Sequence, residues 1–161
     1  MDTDSLPFLD EHVAVIAASA DDVWRALGET FERSFSHRGA SCYARLVGAA
    51  DRTASGPRPL TLDSTLPGFR VVDVVVGRRL ALQGCHRFST YALTFRLEPE
   101  DLGRTRLRAE SRAAFPGLTG GVYRALVVGT GGHVLGMRRL LSAVRDRCDP
   151  NASAHSRSGA G

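Results

Sequence analysis

Polar and apolar positions alternate most regularly between Ser89 and Phe115. In STYALTFRLE, Tyr91, Leu93, Phe95 and Leu97 share one face, and Thr94 and Arg96 take the other. In RTRLRAESRAAF, Leu107, Ala109, Ser111, Ala113 and Phe115 oppose Arg104, Arg106, Arg108 and Arg112. Period-two alternation marks strands with one buried and one solvated face. Upstream, FRVVDVVV and RLALQG read as two further strands. The connections at Gly77-Arg78, at roughly Gly84 to Phe88 and at PEDLG are of hairpin length, so these strands form an antiparallel meander. HVAVIAA (12–18), SCYARLVGAA (41–50) and LTLDSTL (60–66) read as three more short strands. The loop DRTASGPRP and the turn Pro67-Gly68 punctuate them.

Two segments carry a helical period. After Ser19, a suitable N-cap, ADDVWRALGETFERSF sets Val23, Leu27 and Phe31 on one face with Trp24. Asp21 and Asp22 lie in the first turn, where the helix dipole favours negative charge. Gly28 is a place where this region divides, giving one or two short helices. From Leu118 to Cys148 the spacing predicts one long helix. At about 100° per residue, Val122, Leu126, His133, Met137, Leu140 and Val144 form an apolar stripe opposite Arg124, Arg138 and Arg145. His133 sits near the middle of that stripe. Gly129 leaves room on the inward side, while Gly131, Gly132 and Gly136 allow bending or close packing over a curved sheet.

The order predicts an α+β helix-grip fold. A curved antiparallel sheet of about seven strands wraps around a long C-terminal helix, with one or two short helices after the first strand. Residues 1–10 read as an N-terminal extension, 11–148 as one domain, and 149–161, small and polar, as a disordered tail.

Three stretches resemble the START-like superfamily, also called SRPBCC. VAVIAASADDVWRAL is similar to its opening strand and helix, and GFRVVDVVVGRRLALQGCHRFSTYALTFRLE to its central hairpins. AAFPGLTGGVYRALVVGTGGHVLGMRRLL resembles the strand-to-helix junction of an actinobacterial-type, polyketide cyclase-like branch. The resemblance covers about residues 8 to 148. It implies a pocket for a hydrophobic or amphipathic small molecule. Because the superfamily includes carriers, receptors, cyclases, dehydratases and hydrolases, it leaves the chemistry open.

Composition removes several alternatives. The chain has 161 residues, 43% hydrophobic and 24% charged, enough for a real core. It contains no lysine, which excludes a Walker A loop and Schiff-base catalysis. Gly129-Thr-Gly-Gly is not GxGxxG and follows no βαβ strand. HExxH, DxDxDG and GxSxG are all absent from the sequence. Three distant cysteines, Cys42, Cys85 and Cys148, support neither a disulfide framework nor a zinc site. The net charge of +4 is mild. The arginines at 96, 104, 106, 108 and 112 make one sheet face basic, but no interleaved aromatics accompany them, so nucleic acid is not an expected partner. No apolar run approaches a membrane span. The acidic N-terminus lacks a signal-peptide layout, so the expected location is cytoplasmic.

Candidate site residues come from the inward faces. If Gly77-Arg78 is a two-residue turn, Val75 pairs with Leu80. The inside then holds Phe69, Val71, Asp73 and Val75 with Leu80, Leu82 and His86; a one-residue bulge reverses Asp73. Ligand contacts are expected from His133, His86, Tyr91, Phe69, Leu82, Phe95, Leu126 and Met137. His133 and Asp73 are the acid–base candidates. No cofactor or metal is expected, since His86, His133 and Asp73 would hold an ion only if the fold brought them together. Three readings follow. The first is a module that binds a small hydrophobic or amphipathic molecule between sheet and helix. The second is a metal-free cyclase- or dehydratase-type lyase or isomerase using the same cavity. The third is a basic-surface interaction protein.

Overall fold

A computed structural model describes residues 5–35 and 38–149, except the side chains of 38–41, 43, 126 and 127. Strand β1 (Phe8–Ile16) leads into α1 (Ala20–Phe35) and α2 (Arg38–Val47). Then come β2 (Thr65–Leu66), β3 (Phe69–Val75), β4 (Arg79–His86), β5 (Ser89–Glu100) and β6 (Arg104–Ala114). Helices α3 (Gly117–Val127) and α4 (Gly132–Cys148) complete the chain. The strands form one curved six-stranded antiparallel sheet in the order β1-β6-β5-β4-β3-β2. Together with the C-terminal helix this matches a helix-grip fold. The tail expected at 149–161 lies outside the described residues from Pro150 onward.

The strand count is six rather than about seven because residues 41–50 do not form a strand. SCYARLV holds a single β-branched residue, and Ala44 and Val47 turn inward at helical spacing while Leu46 faces out. The 60–66 segment keeps only Thr65–Leu66 as strand. Asp63 adopts a positive φ, and the Thr61 N–H donates to Ser64 Oγ at 3.1 Å, closing a turn instead. β1 starts at Phe8, so part of the segment read as an extension belongs to the sheet.

α1 runs unbroken through Gly28, where an added Cβ would meet nothing. Its start is capped reciprocally. The Asp22 N–H donates to Ser19 Oγ at 3.2 Å, and the Ser19 hydroxyl donates to Asp22 Oδ2 at 2.7 Å. Val23, Leu27 and Phe31 are fully buried, as the spacing predicts. They pack with Leu82, Phe95, Leu107 and, from α4, Met137, Leu141 and Val144. Each large side chain so buried contributes roughly 1.5–3 kcal/mol of transfer free energy.

The predicted long helix is two helices. Gly131 takes the left-handed conformation, with φ 75°, between α3 and α4. This resets the helical phase, so residues counted across the break do not share a stripe. Val122 is 71% exposed, whereas Met137 and Val144 are buried.

Candidate functional site

A cavity of about 670 Å³ lies beneath α4, bounded by the ends of α1 and α2, the β2–β3 turn, the inner face of β5 and β6, and α3. Its size falls within the range of small-molecule sites. Phe69, Tyr91, His86, Met137 and His133 line it, together with Gly136, which the sequence reading took only as a bending or packing glycine, and Tyr123, which it did not single out. Leu82 and Phe95 lie behind that wall in the core, fully buried. The side chain of Leu126 falls outside the described residues.

Asp73 is placed differently from the two-residue-turn expectation. Val75 pairs with Arg79, which makes a three-residue connection, and the register shifts between Val71 and Asp73. That bulge moves Val74 inward against the core, opposite Leu80, and turns Asp73 out. Its carboxylate is 41% exposed and pairs with Arg79 at 3.0 Å. Asp73 does not line the cavity and does not converge with His86 and His133. Val75, read as inward by the same register, is exposed.

A relay of rings runs from the core to the cavity wall. Phe95 meets Phe31 edge-on at 5.2 Å, Phe31 stacks on Phe35 at 5.8 Å, and Phe35 meets Phe69 edge-on at 5.5 Å. Phe69 meets Tyr91 at 5.1 Å, and His86 lies 5.4 Å from Tyr91 and 4.9 Å from Tyr123. Tyr91 donates its hydroxyl to the Gly68 carbonyl at 2.7 Å. Only glycine at 84 permits this, since a Cβ there would sit 2.0 Å from the Gly68 oxygen and 2.6 Å from the Tyr91 ring. The sequence marks Gly84 only as an approximate turn position. Its partners are 16 and 7 residues away in the chain, and no local pattern brings them together.

Hydrogen bonds select one tautomer of the neutral His86 ring. Its Nδ1 accepts the Phe88 N–H at 3.2 Å, so Nε2 carries the proton and faces Ser89 Oγ at 3.2 Å. Burial pushes its pKa below the ordinary histidine value.

The second polar group is built from β1, β6 and α4. A register shift between Phe8 and Asp10 reverses the facing of the first β1 residues. Asp10 is thereby paired across the ladder with Ser111. His133 Nε2 from α4 lies 3.3 Å from Asp10 Oδ1 and 3.1 Å from Ser111 Oγ, and His12 Nε2 lies 3.3 Å from Asp10 Oδ2. Ser111 and Asp10 meet the same ring nitrogen, so this is not a nucleophilic triad, in which the two partners take opposite nitrogens. Ser111 is 1% exposed and lines the cavity beside His133. Sequence reasoning had placed Asp10 outside the domain; the sole clue was the i, i+2 spacing of Asp10 and His12 on one strand.

On the outer face of β5 and β6 each arginine is paired with a carboxylate. Arg96 and Arg112 both pair with Glu110, Arg104 and Arg106 with Glu100, and Arg108 with Glu11 and Glu98. Burial raises the Glu110 pKa, but hydrogen bonds from Arg96 and Arg112 outweigh it and hold the carboxyl below its ordinary value. The arginine strip read from alternation alone therefore carries interleaved carboxylates.

Fold and cavity together define a class: helix-grip proteins with an apolar chamber between a curved sheet and the C-terminal helix. The chain is similar to CalU16 from Micromonospora echinospora, at 15% identity and TM-score 0.53, over 92% of this chain and 81% of that one. It is similar to truncated norcoclaurine synthase from Thalictrum flavum, at 13% identity and TM-score 0.55, over 88% and 95%. A hypothetical protein from Helicobacter pylori aligns at 11% identity and TM-score 0.58, over 86% of each chain. At such identities the likeness shows the fold, which is the one the START-like resemblance implies. No protein-family model and no curated protein matches the chain. Among the described residues, no helix is long and apolar enough to cross a membrane.

Proposed function

We propose that the protein binds a small hydrophobic or amphipathic molecule in the chamber under α4, as a START-like protein of the polyketide cyclase-like branch. The observation that carries this reading is the chamber itself, about 670 Å³, walled by aromatic and aliphatic side chains. A ligand burying on the order of 300 Å² of apolar surface would gain roughly 7 kcal/mol before the costs of association. His133, Tyr91 and His86 supply the few polar atoms that orient it.

A second reading, a cyclase- or dehydratase-type enzyme in the same chamber, is favoured by one observation: a histidine held by a carboxylate lines the wall. In that reading His133 moves the proton; Asp73, on the outer face, is too far out of the chamber to do so. Norcoclaurine synthase, which shares the fold, is named as a synthase. The two readings part at His133→Phe. A carrier keeps most of its affinity, whereas an enzyme loses turnover and keeps binding. Native mass spectrometry of the purified chain tests the shared premise. A co-purifying small molecule, lost on denaturation, is expected; a chain that neither carries nor takes up any apolar compound would refute both.

A further inference from the structure

Resting on the cavity reading, we infer that Asp10 fixes His133 as the proton acceptor of the chamber, and that the ligand carries a weakly acidic hydroxyl on an aromatic body, a phenol or a ring-conjugated enol. The argument starts at Nε2. This nitrogen faces Asp10 Oδ1 at 3.3 Å and Ser111 Oγ at 3.1 Å. An ionised carboxylate only accepts, so an unprotonated Nε2 would set two lone pairs against each other. The proton therefore sits on Nε2, shared between Asp10 and Ser111. Nδ1 is left with its lone pair, and among the described residues it has no hydrogen-bond partner. His12, on Asp10 Oδ2, holds the carboxylate from its other side.

The chamber complements such a ligand. Among the described residues no carboxylate lines it, whereas Arg139 from α4 does. The rings of Phe69, Tyr91, Phe115 and Tyr123 offer edges and faces to an aromatic body. His86 cannot compete as an acceptor, because its Nδ1 is taken by the Phe88 N–H. On proton transfer, the hydroxyl proton moves from the ligand oxygen to His133 Nδ1. The oxygen keeps the electron pair as phenolate, and the imidazolium retains its Nε2–H on Asp10. Asp10 is thus a positioning residue, acting through His133.

The test uses the full chain with 2-naphthol and with 2-methoxynaphthalene, which has the same ring system and no donor. Fluorescence titration should show 2-naphthol bound about tenfold more tightly by the wild type, the magnitude of one buried hydrogen bond. His133→Phe should abolish that preference and leave 2-methoxynaphthalene binding in place. Asp10→Asn should shrink the preference. In its ¹⁵N spectrum, His133 should lose the clean pattern of a protonated Nε2 and an unprotonated Nδ1 that the wild type shows. A positioning role predicts that change of tautomer; a purely structural role does not. Equal binding of both probes by the wild type, or a His133 protonated at Nδ1, overturns this inference while the cavity reading stands. Failure of both probes to bind overturns the cavity reading and this inference with it.

Discussion

At the residue scale, two sites whose sequence signals looked weak and strong exchange places. Gly84 is an ordinary turn glycine in the sequence, yet it is where β4 lets Tyr91 reach the Gly68 carbonyl. Gly84→Ala is expected to destabilise the fold by about 1–3 kcal/mol, because the clash at 2.0 Å is with backbone and cannot be relieved by rotating a side chain. The midpoint of urea unfolding reads this directly, and an unchanged midpoint would mean that the Tyr91–Gly68 contact is dispensable. Asp73 stood out in the sequence as a carboxylate on an apolar strand, but it forms an exposed pair with Arg79. Asp73→Asn should therefore alter stability by less than about 1 kcal/mol and leave probe binding unchanged. A loss of binding would put Asp73 back in the site.

At the element scale, legibility followed the range of the forces involved. β5 and β6 were read with their facing correct, because alternation is a local record of a sheet with one wet face. Leu107, Ala109, Ser111 and Ala113 are all buried on the expected side. The reading failed where a single backbone event shifts the phase: the bulges before Asp73 and Asp10, and the left-handed Gly131 that separates α3 from α4. Each breaks the period, so periodicity counted across it gives the wrong face. α3 lies against the rest through Tyr123, which sits on His86 and Phe88, and through Gly120, where a Cβ would be 2.7 Å from the Phe115 backbone. His86 makes this contact pH-sensitive. Because burial lowers its folded-state pKa, the folded chain binds fewer protons there than the unfolded chain. The His86 contribution is fully present above the unfolded value of about 6.5 and is lost as pH falls through the folded value. Melting temperatures measured from neutral to mildly acidic pH should fall less steeply for His86→Gln than for the wild type. Equal slopes would mean that the neutral ring is not what α3 rests on.

At the scale of the whole molecule, the sheet, α1 and the second half of α4 make a filled core. The first half of α4 and α3 stand over an unfilled chamber. The sequence anticipated this division in outline, through a histidine and glycines set into an otherwise apolar helix. It looked to Gly129 to open the chamber, but Gly129 does not line it, and a Cβ there would sit 2.4 Å from the Ala125 carbonyl oxygen. Gly136 opens it, lining the cavity one turn after His133, with nothing within 4 Å of an added Cβ. Gly136→Leu should fill space that a ligand needs while removing a helix-interior glycine, a gain of roughly 0.5–1 kcal/mol. The most direct measurement is a titration of wild type and Gly136→Leu with 2-methoxynaphthalene, run beside their thermal melts. Saturable one-to-one binding by the wild type, lost in a variant that melts no lower, is the predicted result. Absence of binding by the wild type, or equal binding by a cooperatively folded Gly136→Leu, would contradict a ligand site between the sheet and α4.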